Sequence, residues 1–401
     1  MQSSSAPTMT VRQRATFSPG AMTVFAVLAA VTISASSSAP TPLYHLYQEQ
    51  IGLSPLLITI VFATYSMSLL VALLTVGSLS DYIGRRPVIL AALILNVGAM
   101  VLFIIAGSAT MLIAARAVQG FATGIATTTL GAAILDTNRT RGPLLNSITA
   151  FMGHTVGSLG AGVLITFAPA PTQLVYGLLM AVCVIGIVVL AAMPETGMNR
   201  PGALASLKPD VRVPQQARAT FLRILPLNVA GWALGGFYLS LMPSVVRVAT
   251  GFTSPLVGAA VVAALMITAV STVISLRNQP PARLLSLGVW GLALGVMITL
   301  AGVELQRVEL MLGGTVVAGI GFGSSFSGIL RALLPLAGPD ERAGLLATYY
   351  VVSFLSFSLP AVAAGILAPT FGLAHTAHIY GSVVILLSLI SFVATRLSRT
   401  A

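Results

Sequence analysis

Apolar residues run almost unbroken along this chain in segments of about twenty, separated by short polar breaks. The segments fall near 21–44, 54–76, 88–107, 110–134, 145–168, 174–193, 221–246, 254–276, 284–303, 309–333, 344–368 and 376–395. A helix needs about 20 apolar residues to cross the hydrocarbon core of a bilayer, so each run predicts one spanning helix. A membrane β-barrel is excluded, because its strands alternate over only about ten residues. The longest break, 195–219, reads as a linker between an N-terminal half (21–194) and a C-terminal half (220–396). A Ser/Pro/Thr-rich stretch, 1–20, reads as a disordered tail, and 397–401 as a second, shorter tail. The first run has a Ser-Ala-Ser sequence near its end, as a signal peptide would. Cleavage there would leave an odd number of spans and put the most basic loops outside, so the run is kept as the first span.

Composition agrees with this pattern. Hydrophobic residues make up 56% of the 401 positions and charged residues 7%, against about a quarter charged in a soluble domain. So few charges cannot cover a water-facing surface, which excludes a soluble enzyme, a secreted domain and a disordered scaffold. The lone cysteine, Cys183, allows no internal disulfide. A net charge of +11 would suggest nucleic acid for a soluble protein; in a membrane the question is which side holds it. With the N-terminus inside, seventeen of the 20 Lys and Arg fall in inner segments, only Arg247 and Arg307 in outer ones, and Arg116 within a span. The positive-inside rule therefore predicts a multi-pass protein of the cell membrane with both termini cytoplasmic.

The two halves repeat each other at an offset of about 200. Ser54-Pro55-Leu56 opens the second span and Ser254-Pro255-Leu256 the eighth; Pro42 and Pro243 stand late in the first and seventh. Gly120 and Gly124 are echoed by Gly319 and Gly323, and Arg141-Gly142-Pro143-Leu144-Leu145 by Arg342-Ala343-Gly344-Leu345-Leu346. Such order implies an internal duplication: an all-α membrane protein of twelve helices in two pseudo-symmetric six-helix bundles, facing each other across a midplane site.

Between the second and third spans stands Gly77-Ser78-Leu79-Ser80-Asp81-Tyr82-Ile83-Gly84-Arg85-Arg86-Pro87. Gly77 suits a close backbone approach, Gly84 a turn with positive φ, and Arg85 and Arg86 the membrane interface. Asp81 suits a helix N-terminus, where a carboxylate gains roughly 0.3–1 kcal/mol. The segment resembles the cytoplasmic signature of the major facilitator superfamily. The resemblance implies that Asp81 meets the start of the eleventh span near Arg342–Leu346, that Arg85 pairs with Asp136, and that the constellation latches the halves in the outward-facing state. The second copy has decayed, with Asn278, Pro281 and Arg283 in the places of Asp81, Gly84 and Arg86. The fourth span carries Arg116-Ala117-Val118-Gln119-Gly120-Phe121-Ala122-Thr123-Gly124, similar to the family's second motif, whose arginine is associated with proton coupling. The fifth carries Gly153-His154-Thr155-Val156-Gly157-Ser158-Leu159-Gly160-Ala161-Gly162. It resembles the glycine-rich motif of the drug:proton antiporter branch, with Ser158 replacing the usual proline. Its glycines, 153, 157, 160 and 162, equally suit plain helix packing.

None of the nine carboxylates falls within a span. The first span reads Ser36-Ser37-Ser38-Ala39-Pro40-Thr41-Pro42 where many drug:proton antiporters carry an acid. Arg116, costing at least about 2.5–3.5 kcal/mol on insertion scales, must face a partner or a wet cavity, or reach the outer surface. Lacking a nearby acid, it leaves room for an anionic or zwitterionic substrate. His154 is the remaining titratable candidate at depth, either a hydrogen-bonded packing residue or, opposed by Arg116, the proton carrier. Ser38, Tyr65, Gln119, Trp232, Tyr238, Tyr349 and Ser353 are the expected cavity residues alongside Arg116 and His154.

The expected activity is export of a drug or metabolite by proton antiport with alternating access. The partners are a small-molecule substrate, protons and membrane lipid, with no nucleic acid, for a monomer that is not an enzyme. No nucleotide motif such as GxxxxGK[ST] is present, and neither cofactor nor metal is expected. The rivals are uptake of a sugar or organic acid and a non-transporting receptor on the same scaffold; a channel fits poorly without a filter-like repeat.

Overall fold

The computed structural model describes residues 17–400, with the side chains of 395–400 excepted. Most of the expected N-terminal tail, with Arg12 and Arg14, lies outside the described residues, as do the side chains of Arg396 and Arg399 and, from the 397–401 tail, residue 401. Fifteen α-helices form among the described residues, and no strand. The first half holds α1 (Pro19–Ser38), α2 (Tyr44–Ile51), α3 (Pro55–Val76), α4 (Ser80–Ile83), α5 (Arg85–Ile104), α6 (Ala109–Thr137), α7 (Gly142–Phe167) and α8 (Pro171–Leu190). The second holds α9 (Gln215–Ser240), α10 (Met242–Thr250), α11 (Pro255–Ser275), α12 (Pro281–Glu304), α13 (Val308–Leu333), α14 (Arg342–Phe371) and α15 (Leu373–Thr400). Eleven helices are long and apolar enough to cross a membrane, and α9 with α10, bent by 64°, supplies a twelfth crossing.

The duplication is visible in the packing. In the first half α3 lies against α6, α6 against α5, α5 against α8, and α1 against α7; in the second α11 lies against α13, α13 against α12, α12 against α15, and α9 against α14. The closest approaches repeat residue by residue. A Cβ added to Gly120 or Gly124 would meet Tyr65 O at 2.1 Å or Leu69 O at 2.5 Å; one added to Gly319 or Gly323 would meet Leu265 O at 2.8 Å or Ala269 O at 2.6 Å. Only glycine lets these backbones touch. The halves meet along two seams, α7 on α11 and α3 on α14.

One boundary differs from the sequence expectation. The first apolar run continues to residue 44, but α1 stops at Ser38 and the chain turns through Ala39–Leu43 before α2. Pro40 and Pro42 lack the amide hydrogens that a continuing helix needs. Pro243 breaks the seventh span at the matching place, between α9 and α10.

Candidate functional site

Three arrangements lie along the bundle axis. The first is the signature loop at one end. Gly77 closes α3, and a Cβ there would lie 2.2 Å from Leu73 O and 3.4 Å from Thr128 Cγ2 of α6. Gly84 adopts φ 95°, and a Cβ there would lie 2.8 Å from Glu195 Oε2. Arg85 is buried and spans two carboxylates: Nη1 donates to Asp81 Oδ1 at 2.5 Å and Ser80 Oγ at 2.7 Å, while Nε donates to Asp136 Oδ2 at 3.1 Å.

Glu195, at the start of the expected linker, organises this end. Its Oε1 accepts from the amides of Arg85 at 2.7 Å and Gly197 at 2.8 Å, and its Oε2 from the Arg86 amide at 3.0 Å. It is thus an anion on the free amides that open α5, where the helix dipole favours it. Arg86 Nη2 donates to Ala191 O at 2.8 Å, so the loop is tied to the end of the sixth span from both sides. The Pro194-Glu195-Thr196-Gly197 segment after the sixth run was the signal available in the sequence.

In this structure Asp81 pairs with Arg85 and not with the start of α14, the contact expected of the outward-facing state. The start of α14 is held by the linker. Arg212 N donates to Gly344 O at 3.4 Å, Arg212 Nη2 to Asp340 O at 3.2 Å, and Gln216 Nε2 to Glu341 Oε2 at 2.7 Å. Arg85, four residues along the same segment, is the cation within reach of Asp81.

The second arrangement surrounds Arg116, which is 1% exposed and therefore does not reach the outer surface. In an α-helix the carbonyl of residue i accepts from the amide of i+4. Ser36 O would need the amide of Pro40, which has none. Gln119 Nε2 takes that place at 2.9 Å. Thr41 N turns back to Ser38 O at 3.0 Å, and Arg116 Nη1 donates to the vacated Ser37 O at 2.8 Å and to Gln119 Oε1 at 2.7 Å. The guanidinium also donates to Tyr44 OH at 2.5 Å and lies 5.3–5.9 Å from the ring centroids of Tyr44, Tyr65 and Phe103. Arg116 and Gln119 therefore cap the broken end of α1, where the negative pole of the helix and three aromatic faces stand in for a carboxylate.

His154 of α7 is half-buried beside the same helix. Its Nδ1 is 3.1 Å from Ser34 O and 3.4 Å from Ser37 Oγ. A carbonyl partner assigns the proton to Nδ1 and leaves Nε2 as the acceptor in the neutral ring. Ser38 Oγ donates to the His154 carbonyl at 3.1 Å. Gly153 and Gly157 bring α7 onto α1, and Gly162 meets Ala259 of α11; Gly160 is exposed with nothing within 4 Å, so its expected packing role is corrected.

The third arrangement is the junction of the halves, which differs between its ends. At the end bearing α2 and α10 the seams are tight. Thr41 Oγ1 donates to Leu239 O at 2.7 Å, Ser158 Oγ to Ala259 O at 3.2 Å, and Arg247 Nη2 to Glu49 Oε1 at 3.2 Å. A Cβ on Gly365 of α14 would lie 2.1 Å from Thr59 Oγ1 of α3. Nearer the middle Ser66 bonds Ser358. Toward the signature-loop end the halves leave a cavity of about 150 Å³ between α1, α6 and α7, with Tyr350 of α14 on its far wall.

None of Ser38, Tyr65, Gln119, Trp232, Tyr238, Tyr349 and Ser353 lines that cavity, which corrects the expected set. Ser38, Tyr65 and Gln119 belong to the cluster around the end of α1. Tyr238 is turned into the second bundle, bonded to Thr315 Oγ1 at 2.9 Å. Trp232 Nε1 donates to Tyr349 OH at 3.2 Å, and Ser353 pairs with Asn228 at 3.1 Å.

A scan against family models matches residues 26–297 to the model described as Major Facilitator Superfamily. A search of curated proteins found no match.

Proposed function

The chain belongs to the major facilitator superfamily and is a multi-pass membrane transporter, and from that premise we propose that it exports a small organic molecule in exchange for protons by alternating access. The reading sets the signature-loop end in the cytoplasm of the cell membrane, as the lysine and arginine asymmetry requires. The observation that carries it is the unequal junction: closed where Thr41 meets Leu239 and Gly365 meets Thr59, yet hollow between α1, α6, α7 and Tyr350. In that orientation the structure is the inward-facing state, with the cavity offered to cytoplasmic cargo. Closing the loop end and parting the opposite end would pass the cargo outward.

His154 is the group assigned to proton coupling. It is bonded to α1 and stands beside the Arg116 cluster, so protonation changes the charge where the first span is broken. The test is reconstituted protein in vesicles under an imposed pH gradient, challenged with a panel of drugs, sugars and organic acids and read with a pH-sensitive dye. At least one compound should drive proton movement, and His154→Ala should abolish it. No compound-driven flux, or flux unchanged in His154→Ala, contradicts the reading.

A further inference from the structure

The lining of the cavity bears on the charge of the cargo, an inference that rests on the transport reading. Twelve residues form the wall, and none is Asp, Glu, Lys, Arg or His. Five carry polar side chains: Ser34 of α1, Thr127 of α6, Asn146 and Thr149 of α7, and Tyr350 of α14. The remainder are Ala, Gly, Ile and Leu.

The hydrogen-bond ledger of those five is uneven. Thr127 Oγ1 donates to Thr123 O at 2.8 Å, Thr149 Oγ1 to Asn146 O at 3.3 Å, and Asn146 Nδ2 to Gly131 O at 3.0 Å. The two threonine protons are therefore committed to helix backbone, as is one of the two on Asn146 Nδ2, which keeps the other for the cavity. The Ser34 and Tyr350 hydroxyls donate to no partner among the described residues. The wall thus combines several acceptors with three donors, the two hydroxyls and the second Asn146 proton.

An anion in this space would face those acceptors with no cation to balance it. Arg116 is committed to Ser37 O, Gln119 and Tyr44, and His154 to Ser34 O, and neither is part of the wall. A cation would leave water with no carboxylate to receive it, and Arg116, which grips α1 one turn from Ser34, opposes it. Desolvating either ion without a partner costs several kcal/mol. A neutral group with its own donor pays no such penalty. Size narrows the class further, since a cavity of about 150 Å³ accommodates a single six-membered ring.

We infer that this cavity is the inward-facing subsite of the transporter and that it takes an uncharged, ring-sized group bearing at least one hydrogen-bond donor, rather than the anion or zwitterion that Arg116 alone would suggest. Tyr350 is the sole wall residue from the second half, so it is the side chain through which the cargo touches both bundles.

Three isosteric probes separate the classes: benzamide (neutral), benzamidinium (cation) and benzoate (anion), all at neutral pH. Full-length Cys183→Ser protein carrying Thr149→Cys is alkylated with N-ethylmaleimide in the presence of each, and Thr127→Cys repeats the measurement in case the first variant folds poorly. Benzamide should slow alkylation severalfold and saturably, the two ions should not, and adding Tyr350→Phe should remove most of the protection. Equal or greater protection by either ion, no protection by any probe, or benzamide protection indifferent to Tyr350→Phe would overturn the inference. Failure of the transport reading is a separate result, the absence of compound-driven proton movement in vesicles.

Discussion

The first and seventh spans are both broken near their ends, at Pro40 and at Pro243, and the carbonyls freed at the two breaks are satisfied in opposite ways. At the end of α1 the partners come from the same bundle, with Gln119 on Ser36 O and Arg116 on Ser37 O. At the end of α9, Pro243 leaves Leu239 O without an amide, and the donor is Thr41 of the other bundle, at 2.7 Å. The reason lies in the duplicated helix. At the offset that maps Gly120 onto Gly319, Arg116 and Gln119 correspond to Thr315 and Ala318, which cannot reach across. Thr315 instead bonds Tyr238 inside its own bundle. One break is thus fixed within a rigid body. The other is bonded across the junction that alternating access must part, so the half without the arginine makes a gate contact where the first makes an internal one.

The largest expected effect is on the internal repair. Arg116→Ala removes a buried side chain and leaves Ser37 O without a donor, which should cost about 2–4 kcal/mol of stability. Thermal unfolding of purified protein reads it, and an unchanged midpoint would break the comparison. The gate contact should behave differently: Thr41→Val leaves Leu239 O unpaired only while the junction is closed, so it should favour the open outer end by about 1 kcal/mol, roughly fivefold in population. A cysteine replacing Ser244, in the crevice with Thr41, reports this through faster labelling by an impermeant maleimide; Thr41→Ser should restore the slow rate, and equal rates would refute the gate assignment.

Glu195→Gln sharpens the contrast with the signature loop, which is a third helix-end repair. Weakening the anion on the α5 amides should cost about 0.5–2 kcal/mol, seen as a lower unfolding midpoint; no change would mean that the loop is held by Arg85 alone. The smallest effect is on outer acidity. His45 of α2 has Nδ1 at 2.9 Å from Pro42 O, one turn before Glu49, which pairs with Arg247 of α10. Burial holds the His45 pKa below its usual value, and Arg247 pushes the same way, against the Pro42 bond and Glu49. The closed junction therefore gains stability that is present above the ordinary histidine pKa and lost as pH falls below it. Acidifying the outer side should speed labelling modestly in Ser244→Cys protein and not when His45→Gln is added.

Much of this was legible in the sequence, unevenly. The spans and their repeat follow from local composition, and the Gly84 turn lies in one contiguous motif, whereas the Arg85–Asp136 pair joins residues 51 apart and was implied only by the family resemblance. The cavity was not legible, because spanning helices are apolar on every side and periodicity does not say which face of α6 or α7 turns inward. Tyr238 and Ser353 look like cavity residues by type alone, but their hydroxyls are used inside the second bundle. The break after Ser38 was written in Pro40 and Pro42, yet an unbroken apolar run through Leu43 hid it. Glu195 was missed because its role is set by amides that lie 110 residues away in the chain.

The account depends most on the junction opening at the end now closed by α3 and α14. Thr59→Cys with Gly365→Cys, in a Cys183→Ser background, places two sulfurs across that seam, where a Cβ on residue 365 lies 3.0 Å from that of residue 59, near disulfide range. Oxidation should abolish compound-driven proton flux in vesicles and reduction should restore it; full flux with the bridge intact would contradict alternating access at this seam.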